Sequence, residues 1–377
     1  MMLSLLLGIL LVLYVAIMLV CILGWTSLKE GCPGKATVPM RVTVVVVARN
    51  EEQAIGALLQ DLLEQDYPAE WFDVLVVDDH SEDGTATVVE RLADSRVRLM
   101  RLSDRLGHAP FHGSHKKKGV TLAVQESPSD WIALTDADCR VAPGWLRTMM
   151  ACQQFHQAVL VCGPVRYRHG PSLLQRLLAL DQGGLSAVGT ATLALGIPTV
   201  CNGANLLFSR SAFLQTDPYA DNLHRSSGDD MFLLHSFYRQ YAHRVTACKS
   251  PSALVTTSVP DSWREALNQR RRWASKMNAF RQWPLRLMFW GVGWFHVVLL
   301  ASAIGLLFSA MHLGLFLLAL LTKFVLDFIF LYQIMRFVGQ EHLMRLFLFA
   351  ELFHSALLLW TGLTARQPTS WKGRTVT

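Results

Sequence analysis

Hydrophobic positions fall into three patterns along this chain. From Met1 to Trp25 they run without one charged residue, a stretch long enough to cross about 30 Å of hydrocarbon as a helix. Between residues 38 and 260 they form short β-branched runs that alternate with amphipathic stretches. From about Leu287 to Leu363 they become nearly continuous again, broken at Ser309-Ala310-Met311-His312 and by the polar stretch Arg336 to Arg345. The ends predict apolar helices and the middle predicts an α/β domain.

Within the middle, Arg41 to Ala48 is an unbroken run rich in Val, as expected of a strand buried on both faces of a parallel sheet. Arg49-Asn50-Glu51-Glu52 follows, then a helical spacing of Ile55, Leu58, Leu59, Leu62 and Leu63. A second strand, Asp73 to Val77, ends in Asp78-Asp79-His80-Ser81-Glu82-Asp83-Gly84-Thr85. Arg96–Leu102 reads as a third strand, Lys116–Gln125 as a helix and Trp131–Leu134 as a fourth strand leading to Asp136-Ala137-Asp138. Pro143-Gly144-Trp145 opens another helix. Beyond it, Ala158–Val165 and Val200–Ser209 read as strands, Leu173–Leu180 and Asp229–Arg239 as helices, and Ser262–Trp283 as a helix rich in charge and aromatics. Polar clusters follow the carboxyl ends of the strands, where open α/β sheets bind ligands.

The first apolar run is preceded by no Lys or Arg and followed by no clean small-x-small cleavage site, so residues 1–26 read as a transmembrane anchor rather than a cleaved signal peptide. Lys29, Lys35 and Arg41 place the following domain on the cytosolic side of an integral membrane protein, the inner membrane if the cell is bacterial. The region 287–363 holds two to three transmembrane or interfacial helices, roughly 288–309, 313–335 and 345–363. Three spans would leave the basic tail 364–377, with Arg366, Lys372 and Arg374, outside; either one segment lies in the interface or re-enters, or the tail departs from the charge rule. Lys323 and Asp327, four apart, neutralise each other on one helix face as a structural pair. The net charge of +6 does not point to nucleic acid, because the basic residues concentrate at Arg264 to Arg286 and in the tail, next to anionic headgroups. Seven cysteines with no CxxC pair fit reduced thiols rather than a disulfide framework or a zinc site.

Four constellations carry chemistry. Asp136 and Asp138, two apart at a strand end, suit a hard divalent cation, Mg²⁺ or Mn²⁺, whose remaining ligands are phosphate oxygens and water. Asp78 and Asp79 either accept hydrogen bonds from a nucleoside or form an Asx turn with Ser81 or Asp83 capping the next helix. Asp229 and Asp230 open a helix, so one caps it while the other is a candidate general base; a plain capping pair is the alternative. Gln269-x-x-Arg272-Trp273, with Arg270 and Arg271 between, suits a diphosphate or an interfacial helix equally. His108, His112 and His115 precede Lys116-Lys117-Lys118 in a Gly/Pro-containing loop and read as a solvated flexible loop, with metal ligation the less favoured alternative because spacing over such a loop does not fix geometry.

Taken together and in this order, Val45 to Glu52, Val76 to Ser81, Asp136-Ala137-Asp138, Cys201-Asn202-Gly203-Ala204-Asn205, Gly228-Asp229-Asp230 and Gln269-x-x-Arg272-Trp273 resemble the family 2 glycosyltransferases over roughly residues 40–275. The likeness is to the membrane-embedded type, such as cellulose, hyaluronan and poly-N-acetylglucosamine synthases and ceramide glucosyltransferases. It implies a GT-A fold, a Rossmann-like mixed sheet in residues 38–260, with the amphipathic segment 261–284 carrying the last motif. It also implies inverting transfer from a nucleotide sugar, commonly UDP-linked, to a lipid or lipid-linked acceptor at the cytosolic membrane face. On this resemblance Ala48, Asn50, Glu51, Asp78, Asp79, Lys116 or Lys117, and Asp136 bind the nucleotide-sugar donor. Asp138, with Asp136, holds the metal; Asp230, beside Asp229, is the base; Gln269, Arg271, Arg272 and Trp273 hold the diphosphate and acceptor end. Where members often carry Glu-Asp, this chain has Gly228-Asp229-Asp230. A processive polysaccharide synthase is the alternative, and a transport or scaffold protein that only binds nucleotide is a second.

Overall fold

The valine-rich run is buried because it lies at the centre of a sheet. In a computed structural model, which describes residues 2–31, 38–106, 113–225, 227–275, 282–308, 312–364, 367, 369–371 and 374–376, this run is β1 (Val42–Ala48), with six of its seven residues buried. Each buried Val stabilises the fold by about 1.5–3 kcal/mol, and Thr43, the strand's polar residue, donates to Asp73 at 2.7 Å. The strands that follow, up to residue 258, are β2 (Phe72–Asp78), β3 (Val97–Arg101), β4 (Trp131–Asp136), β5 (Arg140–Val141), β6 (Leu160–Cys162), β7 (Val165–Arg168), β8 (Leu206–Ser209), β9 (Val245–Ala247) and β10 (Val255–Ser258).

Two sheets result. The larger has the order β3-β2-β1-β4-β8-β6-β9, in which β3, β2, β1 and β4 are parallel and β8 runs antiparallel to both β4 and β6. The smaller has the order β5-β10-β7. Register decides where the acids fall: Ala48 pairs with Asp78 across β1–β2, and Val47 pairs with Asp136 across β1–β4. The carboxylates that end β2 and β4 therefore flank the carboxyl end of β1.

Two expected strands are shorter than the sequence pattern suggests. Ala158–Val165 divides into β6 and β7, which join different sheets, because Pro164 cannot donate to a ladder and Gly163 lies against Asn205. Val200–Ser209 is a strand only from Leu206, since residues 201–205 form a loop whose own side chains bond its backbone, as where Asn202 Oδ1 accepts from the Ala204 amide at 3.0 Å.

The chain divides into two compact units, an α/β unit of residues 28–168, 200–258 and 370–377, and a helical unit of residues 1–27, 169–199 and 259–369. Residues 169–199, expected inside the 38–260 domain, belong to the helical unit. Their helix, Leu173–Ala194, packs against Met2–Ser27 so closely that a Cβ on Gly24 would overlap the Ala191 carbonyl. Among the described residues, four helices of this unit are long and apolar enough to cross a membrane: Met2–Ser27, Trp283–Leu306, Leu313–Phe337 and the segment Glu341–Thr364. Lys323 donates to Asp327 at 2.8 Å as its spacing suggested, and Glu351 and Tyr14 join the pair from two other helices. Trp263–Ser275 is the helix carrying Gln269 to Trp273; within the expected segment 261–284, residues 276–281 lie outside the described residues and Trp283 opens the following helix. Arg366 and Lys372 of the tail also lie outside them.

Candidate active site

Lys116 is the residue that joins the separate acidic motifs. It is the second residue of the helix His115–Glu126, whose first turn is capped by Ser114, and its Nζ donates to Asp136 Oδ1 at 2.6 Å and lies 3.2 Å from Asp229 Oδ2. Burial works to lower the Lys116 pKa, but Asp136, Asp229 and Asp230 outweigh it and hold the ammonium well above the ordinary lysine value. Asp229 and Asp230 begin the helix Asp229–Tyr241 after Gly228, whose φ of 88° makes the turn that glycine allows. The Gly203 backbone faces the group: a Cβ there would sit 3.4 Å from Asp229 Oδ2 and 3.7 Å from Lys116 Nζ. Asp230 Oδ1 accepts from the Met231 amide at 2.8 Å, and the Cys201 thiol donates to the Asp230 carbonyl.

Lys117, one residue on, has a different task. It is fully buried, donates to the carbonyls of Asn222 and Arg225 at 2.8 and 2.9 Å, and lies 4.4 Å from the centre of the Phe232 ring. It ties down the segment that precedes Gly228.

The two members of Asp-Ala-Asp part company. Asp136 ends β4 and turns to Lys116, while Asp138 is exposed in the following turn and accepts from Thr257 Oγ1 at 3.4 Å. One exposed carboxylate at a strand end is enough protein ligand for a hard cation that arrives with a diphosphate, so Asp138 fits the expected ion better than Asp136, whose Oδ1 is engaged.

At the end of β2, Asp78 is buried; its Oδ2 is 3.4 Å from the Ser81 amide, and its Oδ1 has no hydrogen-bond partner among the described residues. A buried acceptor left over is costly unless a ligand donates to it. The turn-forming alternative falls to Asp83, whose Oδ1 accepts from the Thr85 amide at 3.0 Å. Asp79 is buried too, and its Oδ1 lies 3.1 Å from His80 Nδ1 and 2.9 Å from His115 Nδ1. His108 and His112 lie outside the described residues.

Ala48 and Asn50 act through the backbone of this loop. The Ala48 carbonyl accepts from the Asp79 amide at 2.8 Å, and Asn50, at φ 50°, accepts from the Glu82 amide at 2.9 Å through its side chain. The Glu51 amide donates to Thr85 Oγ1 at 2.7 Å. Arg49, which the sequence reading passed over, is buried and donates to the carbonyls of Asp79 and His80 at 3.0 Å each. Its position between a strand and an acidic loop was the available signal. Asn205 is likewise a scaffold residue: it accepts from Trp145 Nε1 at 2.9 Å and donates to the carbonyls of Pro164 and Ala253.

In the helical unit, Gln269 accepts from Gln182 at 2.7 Å, Arg270 pairs with the buried Asp181, and Arg271 stacks 4.3 Å over Trp360. Arg272 and Trp273 are half-buried on the same helix.

The mixed sheet, four parallel strands continued by the antiparallel β8, has the GT-A class of fold, to which the comparisons with known proteins point. Residues 43–214 match the family described as Glycosyl transferase family 2, and residues 131–339, more than half of the chain, match Glycosyl transferase family group 2. The chain belongs to glycosyl transferase family 2. An N-acetylglucosaminyltransferase of Sinorhizobium fredii is 27% identical over 253 residues, which cover 63% of this chain and 57% of that protein. The beta-monoglucosyldiacylglycerol synthase of Synechocystis is 31% identical over 116 residues, 30% of this chain and 23% of that one. The chain thus spans about half the length or less of these curated relatives. The mannosyltransferase PcManGT of Pyrobaculum calidifontis, solved with GDP-Man and Mn²⁺, has a similar fold, with a TM-score of 0.59 and 19% identity over 96% of this chain and 99% of that one.

Proposed function

We propose that this protein is an inverting glycosyltransferase that moves one sugar from a nucleotide sugar, a UDP-sugar in our reading, to a lipid or lipid-linked acceptor at the cytosolic face of a membrane. The observation that carries the proposal is the Lys116 bridge between Asp136 and Asp229, with Asp230 beside it. Three carboxylates around one ammonium leave the cluster net negative, which suits deprotonation of a hydroxyl and repels a bare diphosphate. A divalent cation held by Asp138 would supply the missing positive charge when the donor binds.

In this mechanism the acceptor oxygen attacks the anomeric carbon opposite the leaving nucleoside diphosphate, and Asp230 takes the hydroxyl proton as the new bond forms. Asp229, paired with Lys116, keeps its neighbour's surroundings fixed. Asp78 accepts from the nucleoside through its leftover buried oxygen. For Gln269, Arg271, Arg272 and Trp273 the diphosphate and acceptor role rests on sequence order. The membrane acceptor is supported by the four long apolar helices, and the cytosolic side by Lys29 and Arg41.

The test is Asp230→Asn. Transfer is expected to fall by about 100-fold or more, as for loss of a general base, while UDP affinity measured by calorimetry stays within about threefold of wild type. Undiminished turnover in this variant removes Asp230 from the mechanism.

A further inference from the structure

The contacts of Asp79 go beyond what binding a nucleoside requires. One ligand atom each from Asp79, His80 and His115 lies within 4.8 Å of the other two, and among the described residues this is the one such group of three. The distances from Asp79 Oδ1 to the two Nδ1 atoms, 3.1 and 2.9 Å, are close to the spacing of neighbouring ligands in an octahedron around an ion with bonds of about 2.0–2.2 Å. We infer that Asp79, His80 and His115 form a transition-metal site, separate from the cation assigned to Asp138.

Each ligand stands on a fixed support. Asp79 follows β2, its amide bonded to Ala48 and its carbonyl to Arg49. His80 has a left-handed backbone, φ 55°, a conformation costly for a residue other than glycine, and the Arg49 guanidinium braces it by donating to the His80 carbonyl. His115 is the first residue of the helix capped by Ser114. The His80 and His115 side chains keep 31% and 18% of their surface exposed, so a further ligand can reach the ion from outside.

The donor set chooses the class of ion. Two imidazoles with one carboxylate suit Mn²⁺, Fe²⁺, Co²⁺ or Zn²⁺, whereas Mg²⁺ and Ca²⁺ prefer oxygen alone. His115 immediately precedes Lys116, so an ion here would fix the start of the helix that carries the Lys116 bridge against the loop after β2. This site does not depend on the transferase reading, and the two fail separately.

The experiment uses the full-length protein in detergent, purified without a polyhistidine tag, stripped with a chelator and titrated with Co²⁺ while visible absorption is recorded. The expected result is a ligand-field band that saturates at about one Co²⁺ per chain and is bleached by Zn²⁺. His80→Ala alone and His80→Ala/His115→Ala together should lose the band, with circular dichroism and thermal melting showing that they remain folded, and Asp138→Ala should keep it. Absence of a band in the wild type, its persistence in the histidine variants, or its loss in Asp138→Ala overturns the assignment. A network in which Asp79 merely accepts hydrogen bonds from the two rings gives the first of these results.

Discussion

Two adjacent lysines do opposite work. Lys116 points its ammonium at three carboxylates, and Lys117 buries its own among backbone carbonyls and the Phe232 ring. Three lysines in a row carry no signal that separates them; only the helix phase does, and one step along a helix turns a side chain by about 100°. The raised Lys116 pKa fixes the sign of its pH dependence: its contribution is complete below the unfolded lysine value of about 10.4 and is lost only as pH rises through the higher folded value. Melting of wild type and Lys116→Met in detergent should therefore differ by a constant amount from pH 6 to 9, and the variant's transfer rate should be lower by about 100-fold. A difference in melting that vanishes inside that range would contradict the assignment. Lys117→Met should instead lower stability by about 3 kcal/mol through two lost charge-assisted hydrogen bonds.

At the level of elements, the pattern of apolar residues was sufficient wherever burial is two-sided. β1 and β2 could be read directly because nearly every residue in them is covered. The division of Ala158–Val165 could not, because it depends on what Gly163 touches rather than on hydrophobicity. A Cβ at Gly163 would come within 2.3 Å of the Asn205 side chain, which three hydrogen bonds hold in place. Gly163→Ala should therefore cost about 2 kcal/mol or more, as overpacking does, seen as a lower melting temperature; an unchanged melting temperature would mean that Asn205 is free to move. The helix expected over Leu173–Leu180 continues to Ala194 through Gly183 and Gly184. Glycine there reads as a breaker in sequence, yet a Cβ on Gly183 would reach 2.7 Å from Met335 Cε, so close helix packing explains it.

For the whole molecule, the sequence order of the motifs was enough to indicate the family, and apolar length was enough to mark the helices long enough to cross a membrane. What it hid was membership: residues 169–199 lie between strands in the chain but belong with the apolar helices, through contacts such as Gly24 against Ala191 and Arg270 with Asp181. Such contacts join segments far apart in sequence and leave no local periodicity. The acidic site follows the same logic, since Asp136 and Asp229 meet only because β4 and the helix Asp229–Tyr241 both present their ends to Lys116. The account is tested most directly by incubating membranes containing the wild type or Asp230→Asn with a panel of labelled nucleotide sugars, then extracting lipids and weighing what acquired label. Wild-type membranes should add a single sugar from one donor to a lipid and the variant's should add none; a ladder of products, label appearing equally with both, or no label from any donor would contradict it.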